Sequence, residues 1–167
     1  VASKMAIEAL DSFIQRSHRE KEITWPYGLD ANLSFAGNRL KTAVKLANRK
    51  VFRAADNRED YTGMGTTVSA LMLQGDTVVL AHIGDSRVYL LRSGELSQIS
   101  TDHTFVQRLV DAGRITAEEA MVHPRRSVLM RVLGDVEASP EIDQMVLDTR
   151  DGDRWMLCSD GLSGVAS

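Results

Sequence analysis

Two aspartates stand where a carboxylate can meet a metal ion. Asp85 lies in Ala81-His82-Ile83-Gly84-Asp85-Ser86-Arg87-Val88-Tyr89-Leu90-Leu91-Arg92, and Asp160 in Leu157-Cys158-Ser159-Asp160-Gly161-Leu162. Each sits where an apolar strand runs out into a glycine-containing turn. A carboxylate held by a rigid element and facing open space suits a hard cation, which takes oxygen ligands. The competing account of each is an Asp that fixes its own turn through its side chain. Together they gain weight if the strands before them are neighbours in one sheet. Adjacent carboxylates repel unless a cation lies between them. Asp102 and Asp135 are further acidic turn residues with a weaker claim.

Other reactive residues form no known constellation. The four histidines show no zinc-ligand spacing and no His-Glu-x-x-His. His103, in Thr101-Asp102-His103-Thr104, reads as a structural residue at a helix start or as a catalytic one. His82 lies within a strand and reads as a satisfied core or edge residue. Cys158 would need a phosphate-cradling loop closed by an Arg six residues on, and that position is Gly164. It reads as a small buried hydrophobe. Gly63-Met64-Gly65 precedes a strand rather than a helix, with no Gly-Lys-Ser/Thr after it. It reads as a flexible entry to a sheet.

The elements that position these residues follow from apolar spacing. Val1, Met5, Ala9, Leu10, Phe13 and Ile14 mark one face of a helix over about 1–17. Residues 18–32 read as a loop. Leu33, Ala36, Leu40, Val44, Ala47, Val51 and Ala54 form a second helical stripe, opposed by Arg39, Lys41, Lys45, Arg49 and Lys50, a face that reads as solvated. Strands are predicted over 66–73, 77–83, 87–92 and 96–99 as one meander, with turns at Gln74-Gly75-Asp76 and Ser93-Gly94. Thr104 caps a helix ending at Gly113, and Thr116-Ala117-Glu118-Glu119 matches a capping box. Residues 145–147 and 155–158 are the last strands. Helices first, then mostly antiparallel strands with a helical insertion, define an α+β fold.

Composition bounds the rest. The chain has 167 residues, enough for one domain with a real core. A net charge of -3 gives no nucleic-acid-binding surface, and a single cysteine excludes an internal disulfide framework. No membrane span or signal-peptide layout is present, so the expected location is the cytoplasm. The ends read as cut.

Taken in order, Gly65-Thr66-Thr67, Gly84-Asp85-Ser86-Arg87 with Tyr89 and Arg92, Asp102-His103-Thr104, Arg131-Val132-Leu133-Gly134 and Ser159-Asp160-Gly161-Leu162 resemble the type 2C metal-dependent Ser/Thr protein phosphatases, with spacing closest to bacterial members. The resemblance covers nearly the whole chain. It implies two packed antiparallel sheets flanked by helices, in α-β-β-α layers. It implies hydrolysis of phosphoserine and phosphothreonine in proteins, with Mn²⁺ or Mg²⁺ as two core ions and a looser third. Asp160 matches a core metal ligand, and Asp85 matches a ligand of the third ion, shared with Asp160. Residues 112–128 match a mobile flap beside the site. Implied partners are phosphoproteins and the Ser/Thr kinases that oppose the enzyme.

The chain also departs from the family pattern. An Arg-x-x-Asn-x-Asp segment and an Asp-Gly-x-Gly-Gly segment, which carry the phosphate-binding Arg and the bridging Asp, are absent. So is a terminal Asp-Asn pair. The expectation is a single partial catalytic domain over 1–167, truncated at both ends. The missing catalytic groups should lie upstream of Val1, leaving this piece inactive alone. The alternative is a catalytically incompetent, phosphatase-like binding or regulatory domain.

Overall fold

The computed structural model describes residues 1–19, 24–137 and 140–165. Both long helices form where the spacing places them. α1 runs Ala2–Arg19 and α2 runs Phe35–Asn57. α1 thus includes His18 and Arg19, which the sequence assigns to a loop, and residues 20–23 of that loop lie outside the described residues. The Ser34 hydroxyl accepts a hydrogen bond from the Gly37 N–H at 3.0 Å, satisfying one free amide of the first turn of α2. The stripe of α2 is buried through Ala36, Leu40, Val44, Ala47 and Val51. Each fully buried Leu or Val side chain contributes about 1.5–3 kcal/mol relative to exposure.

The basic face of α2 is more engaged than its composition predicts. Arg39 donates to the Ser17 hydroxyl at 2.9 Å and the Ile14 carbonyl at 3.0 Å. Lys41 pairs with Asp30 at 2.8 Å, and Lys45 lies 5.3 Å from the centre of the Tyr27 ring. Long basic side chains fold their stems over neighbouring surface while keeping the charge on an outer partner. Here they dock α1 and the following loop against α2.

The strands are β1 Val68–Gln74, β2 Thr77–Ile83, β3 Arg87–Arg92, β4 Glu95–Gln98, β5 Asp143–Asp148 and β6 Arg154–Cys158. They form two antiparallel sheets, ordered β1-β2-β5 and β4-β3-β6. The expected single meander is therefore corrected. Gly75 (φ 57°) and the pair Ser93 (φ 53°) and Gly94 (φ 84°) close hairpins within a sheet, as tight two-residue turns do. The link between β2 and β3 instead crosses from one sheet to the other, with Gly84 at φ 108°. An alternating pattern cannot distinguish these outcomes, because both begin with a turn.

β2 is the centre of the molecule. Val79, Ala81 and Ile83 join the helical core with Leu40, Val44 and Val51. Val78, Leu80 and His82, on its other face, are no more than 1% exposed. A strand covered on both faces reads as an unbroken apolar run, which explains its sequence.

Two capping predictions hold. Thr104 accepts from the Gln107 N–H at the start of α3, Phe105–Asp111. Thr116 and Glu119 form the reciprocal capping box of α4, Ala117–Val122. A short α5, Asp160–Ser163, follows β6; the sequence reading had no closing element there, and residues 166–167 lie outside the described residues.

The Gly63–Gly65 segment is not a loose entry. Thr66 and Leu133 exchange backbone hydrogen bonds of 3.0 and 2.8 Å, and an added Cβ at Gly65 would meet the Leu133 carbonyl at 3.2 Å. Thr66 makes this isolated bridge instead of opening β1. The Arg131–Gly134 stretch is held in turn by α2. Asn48 accepts from the Gly134 N–H at 2.7 Å and donates to the Val136 carbonyl at 2.8 Å.

Candidate metal site

Asp85 and Asp160 are brought together, by a route the sequence reading did not foresee. The strands that precede them, β2 and β6, lie in different sheets. Asp85 meets Asp160 because β3 pairs with β6, with Arg87 opposite Cys158. Just past that pair the chain reaches Asp85 in the turn on one side and Asp160 at the head of the next helix on the other. The electrostatics agree. Burial first, then the Asp160 and Asp102 carboxylates, push the Asp85 carboxyl above its ordinary value. Its own backbone N–H and Arg87 oppose that shift.

The residues flanking Asp85 in the Gly84-Asp85-Ser86-Arg87 turn are each anchored. Gly84 has positive φ, and an added Cβ would lie 2.3 Å from Thr67 Cγ2, so only glycine fits. The Ser86 hydroxyl meets the Thr67 hydroxyl at 2.6 Å, and its carbonyl lies 3.0 Å from the Ser69 hydroxyl. Arg87 grips both carboxylate oxygens of Asp102 at 2.8–3.1 Å and donates to the Tyr89 hydroxyl at 3.1 Å. Asp102 is therefore the guanidinium's partner in a forked pair. Asp135 lies apart, lining a separate cavity with Asp56, Met64 and Gly134.

Two histidines brace this turn from behind. His82 reaches the Thr101 carbonyl through Nε2 at 3.0 Å and the Ser69 hydroxyl through Nδ1 at 2.9 Å. Burial, then the nearby His103, holds its imidazole below the ordinary pKa and neutral. In the neutral ring Nε2–H donates to the Thr101 carbonyl, and the one Ser69 hydroxyl proton is shared between the bare Nδ1 and the Ser86 carbonyl. His103 is also buried; its contacts reach Gly84, Asp143 and Arg131. Sequence reasoning missed Asp143, whose sole signal was an acidic residue opening a strand. Cys158 is half-buried, not a core residue, and lines a shallow opening with Ser69, Ser86 and Leu157.

Asp160 occupies a different setting. It is exposed at the first position of α5, and its carbonyl accepts from the Gly164 N–H at 2.7 Å. The Asp85 carboxyl feels the Asp160 carboxylate as a repulsive neighbour, and oxygen donors of this kind suit a hard divalent ion. Among the described residues, no group of three His, Cys, Asp or Glu side chains is gathered as a metal cluster.

The frame around these two aspartates is a pair of antiparallel sheets backed by helices. The profile of the protein phosphatase 2C family matches residues 1–166, and the chain belongs to that family. It is 50% identical over 129 residues to the serine/threonine protein phosphatase PstP of Mycobacterium tuberculosis, covering 77% of this chain and 25% of that protein. The chain therefore spans about a quarter of that relative's length. A crystal structure of the M. tuberculosis PstP/Ppp phosphatase superposes with a TM-score of 0.80 at 43% identity, covering 99% of this chain and 64% of that one. A second structure, the PstP catalytic domain in complex with 2 manganese ions, gives a TM-score of 0.76 at 40% identity, covering 99% and 63%. Among the described residues, no helix is long and apolar enough to cross a membrane.

Proposed function

We propose that the protein containing this chain is a metal-dependent Ser/Thr phosphatase that hydrolyses phosphoserine and phosphothreonine in proteins. The observation that carries the reading is the meeting of Asp85 and Asp160 across the β3–β6 pair, in a chain of this family. Asp160 is assigned to a core Mn²⁺ or Mg²⁺ ion, and Asp85, sharing Asp160, to a third, looser ion. When bound, such ions polarise the phosphoryl oxygens and supply a nucleophilic water near neutral pH. The chain's own contribution is placement. Arg87 and Asp102 neutralise each other, leaving Asp85 as the carboxylate of its turn free for a cation. Residues 112–128 are assigned as a flap, whose Arg114, Arg125 and Arg126 suit an acidic phosphopeptide. The phosphate-binding Arg and the bridging Asp are assigned upstream of Val1. The partners are phosphoproteins and the kinases that phosphorylate them, and the setting is the cytoplasm.

The test is Asp160→Asn in the complete protein. Mn²⁺-dependent turnover of a phosphothreonine peptide should nearly vanish, with the fold intact by circular dichroism. Unchanged turnover would remove Asp160 from the centre. A second reading, a phosphatase-like binding domain, is favoured by the absence of a three-ligand cluster among the described residues. It predicts a complete protein that binds phosphoproteins without turning them over. The 167-residue chain alone should show little activity under the first reading, and robust turnover by it would refute the assignment of ligands upstream.

A further inference from the structure

Gly84, the residue before Asp85, is held at both ends by a single histidine. The His103 backbone N–H donates to the Gly84 carbonyl at 2.8 Å, and the Gly84 N–H donates to His103 Nδ1 at 3.1 Å. His103 is 7% exposed, so neither bond is readily exchanged for water. On the other side of the ring, Nε2 lies 2.8 Å from Asp143 Oδ2, at the start of β5. Arg131 fixes that carboxylate in turn, at 3.3 Å to Asp143 Oδ1, while also pairing with Glu141 at 2.9 Å.

These contacts determine the tautomer. A nitrogen that accepts from an amide carries no proton, so Nδ1 is bare and Nε2 bears the hydrogen it gives to Asp143. The Arg131 guanidinium, 3.4 Å from Nε2, is then a neighbour of that N–H, not its donor. The His82 ring packs 4.9 Å away and bonds to the Thr101 carbonyl, bracing the 101–103 segment from the opposite side. The ring thus offers an acceptor to the turn and a donor to β5, a pair of roles that one amide side chain can fill only one at a time.

We infer that His103 is a positioning residue for Asp85, linking the turn that carries this carboxylate to β5 through Gly84 and Asp143. The inference rests on the assignment of Asp85 as a metal ligand. Partners behind a ligand commonly govern its geometry, and losing one costs about 10–100-fold in metal affinity. The geometry predicts a contrast between two substitutions. In His103→Asn the side-chain oxygen replaces Nδ1 and still accepts from Gly84. In His103→Gln the amide nitrogen replaces Nε2, keeping Asp143 but abandoning Gly84.

The experiment uses the complete protein with Mn²⁺ as the probe. Bound Mn²⁺ is followed by electron paramagnetic resonance, and the Gly84 amide by hydrogen exchange without metal. His103→Asn should keep Mn²⁺ affinity within about threefold of the parent and leave Gly84 protected. His103→Gln should weaken the looser Mn²⁺ site by about tenfold or more and speed Gly84 exchange by at least about tenfold. Equal behaviour of the two variants, or an unchanged Gly84 amide in both, would overturn the inference. Asp85→Asn separates the two claims. If it leaves Mn²⁺ binding untouched while His103→Gln still frees Gly84, the metal assignment fails and the clamp stands. If it weakens Mn²⁺ binding while His103→Gln does not, the positioning role fails. Should His103→Gln not fold, Asp143→Ala removes the same link from a half-buried position. It should weaken Mn²⁺ binding, and Asp143→Asn, which keeps an acceptor, should restore it; no difference between those two would count against the proposal.

Discussion

The two aspartates of the candidate site are held in opposite ways. Asp85 sits in a turn whose every flanking residue is anchored: Gly84 by His103, Ser86 by Thr67 and Ser69, Arg87 by Asp102. Asp160 is exposed at the head of a four-residue helix, and Ser159 before it makes no side-chain cap. The first carboxylate is placed by the fold before any ion arrives. The second has backbone direction from β6 and freedom beyond it. If both serve the proposed metal site, one carboxylate is preorganised by its surroundings while the other is held by few side-chain contacts.

The largest effect expected from this contrast is at Gly84. In Gly84→Ala, the new Cβ would lie 2.3 Å from Thr67 Cγ2 at a backbone φ of 108°. Overpacking and backbone strain add, so the cost should be at least about 3 kcal/mol by urea denaturation. A smaller loss, below about 1 kcal/mol, would show that the turn yields and that Asp85 is not rigidly held.

A smaller loss is expected from Asp102→Ala. It leaves Arg87 without both of its carboxylate bonds, in a side chain that is 30% exposed. Partial access to water limits the cost to about 1–2 kcal/mol. The same denaturation measurement checks it, and Asp102→Asn should recover part of the difference by retaining one acceptor.

These anchors explain how much of the molecule was legible in the sequence. Helices α1 and α2 declare themselves through apolar residues three and four apart, and both capping motifs are local, so the residues that form them are neighbours in the chain. The division into two sheets was not legible. It depends on Gly84 turning the chain out of one sheet, and a glycine of this kind looks in sequence like the glycine of a hairpin. Asp85 and Asp160 stood out as turn carboxylates and as parts of an ordered motif set. Their meeting through β3 and β6 did not, because register is set by pairing between strands more than 60 residues apart. The same holds for His103 and Asp143, a contact across 40 residues, with no periodicity to announce it.

The start of β6 provides a third test, since it is pinned where the end carrying Asp160 is not. Arg92 grips both carboxylate oxygens of Asp153 at 2.9 and 2.6 Å. This bond first, with help from the Arg150 N–H, holds the Asp153 carboxyl well below its ordinary value of 3.8. A folded-state pKa below the unfolded one means stability that is present above the unfolded value and is lost as pH falls through the folded one. Asp153→Asn should therefore be less stable than the parent at neutral pH, and the gap should close as the pH drops below 3.8. A gap independent of pH would show that the carboxylate's charge is not what fastens this end of β6.

The smallest effect is expected at Gly161, the residue after Asp160. Its φ is not positive, and among the described residues the nearest atom to an added Cβ is Ser159 Oγ at 3.5 Å, an ordinary contact. Alanine also restricts the unfolded chain and favours the helical backbone that α5 adopts. Gly161→Ala should therefore leave stability within about 0.5 kcal/mol of the parent, on either side of zero, in the denaturation experiment that Gly84→Ala should fail. Equal penalties at the two glycines would mean that the Asp160 turn is as constrained as the Asp85 turn, held by contacts beyond the described residues. The contrast between a firmly anchored and a weakly anchored aspartate would then have to be abandoned.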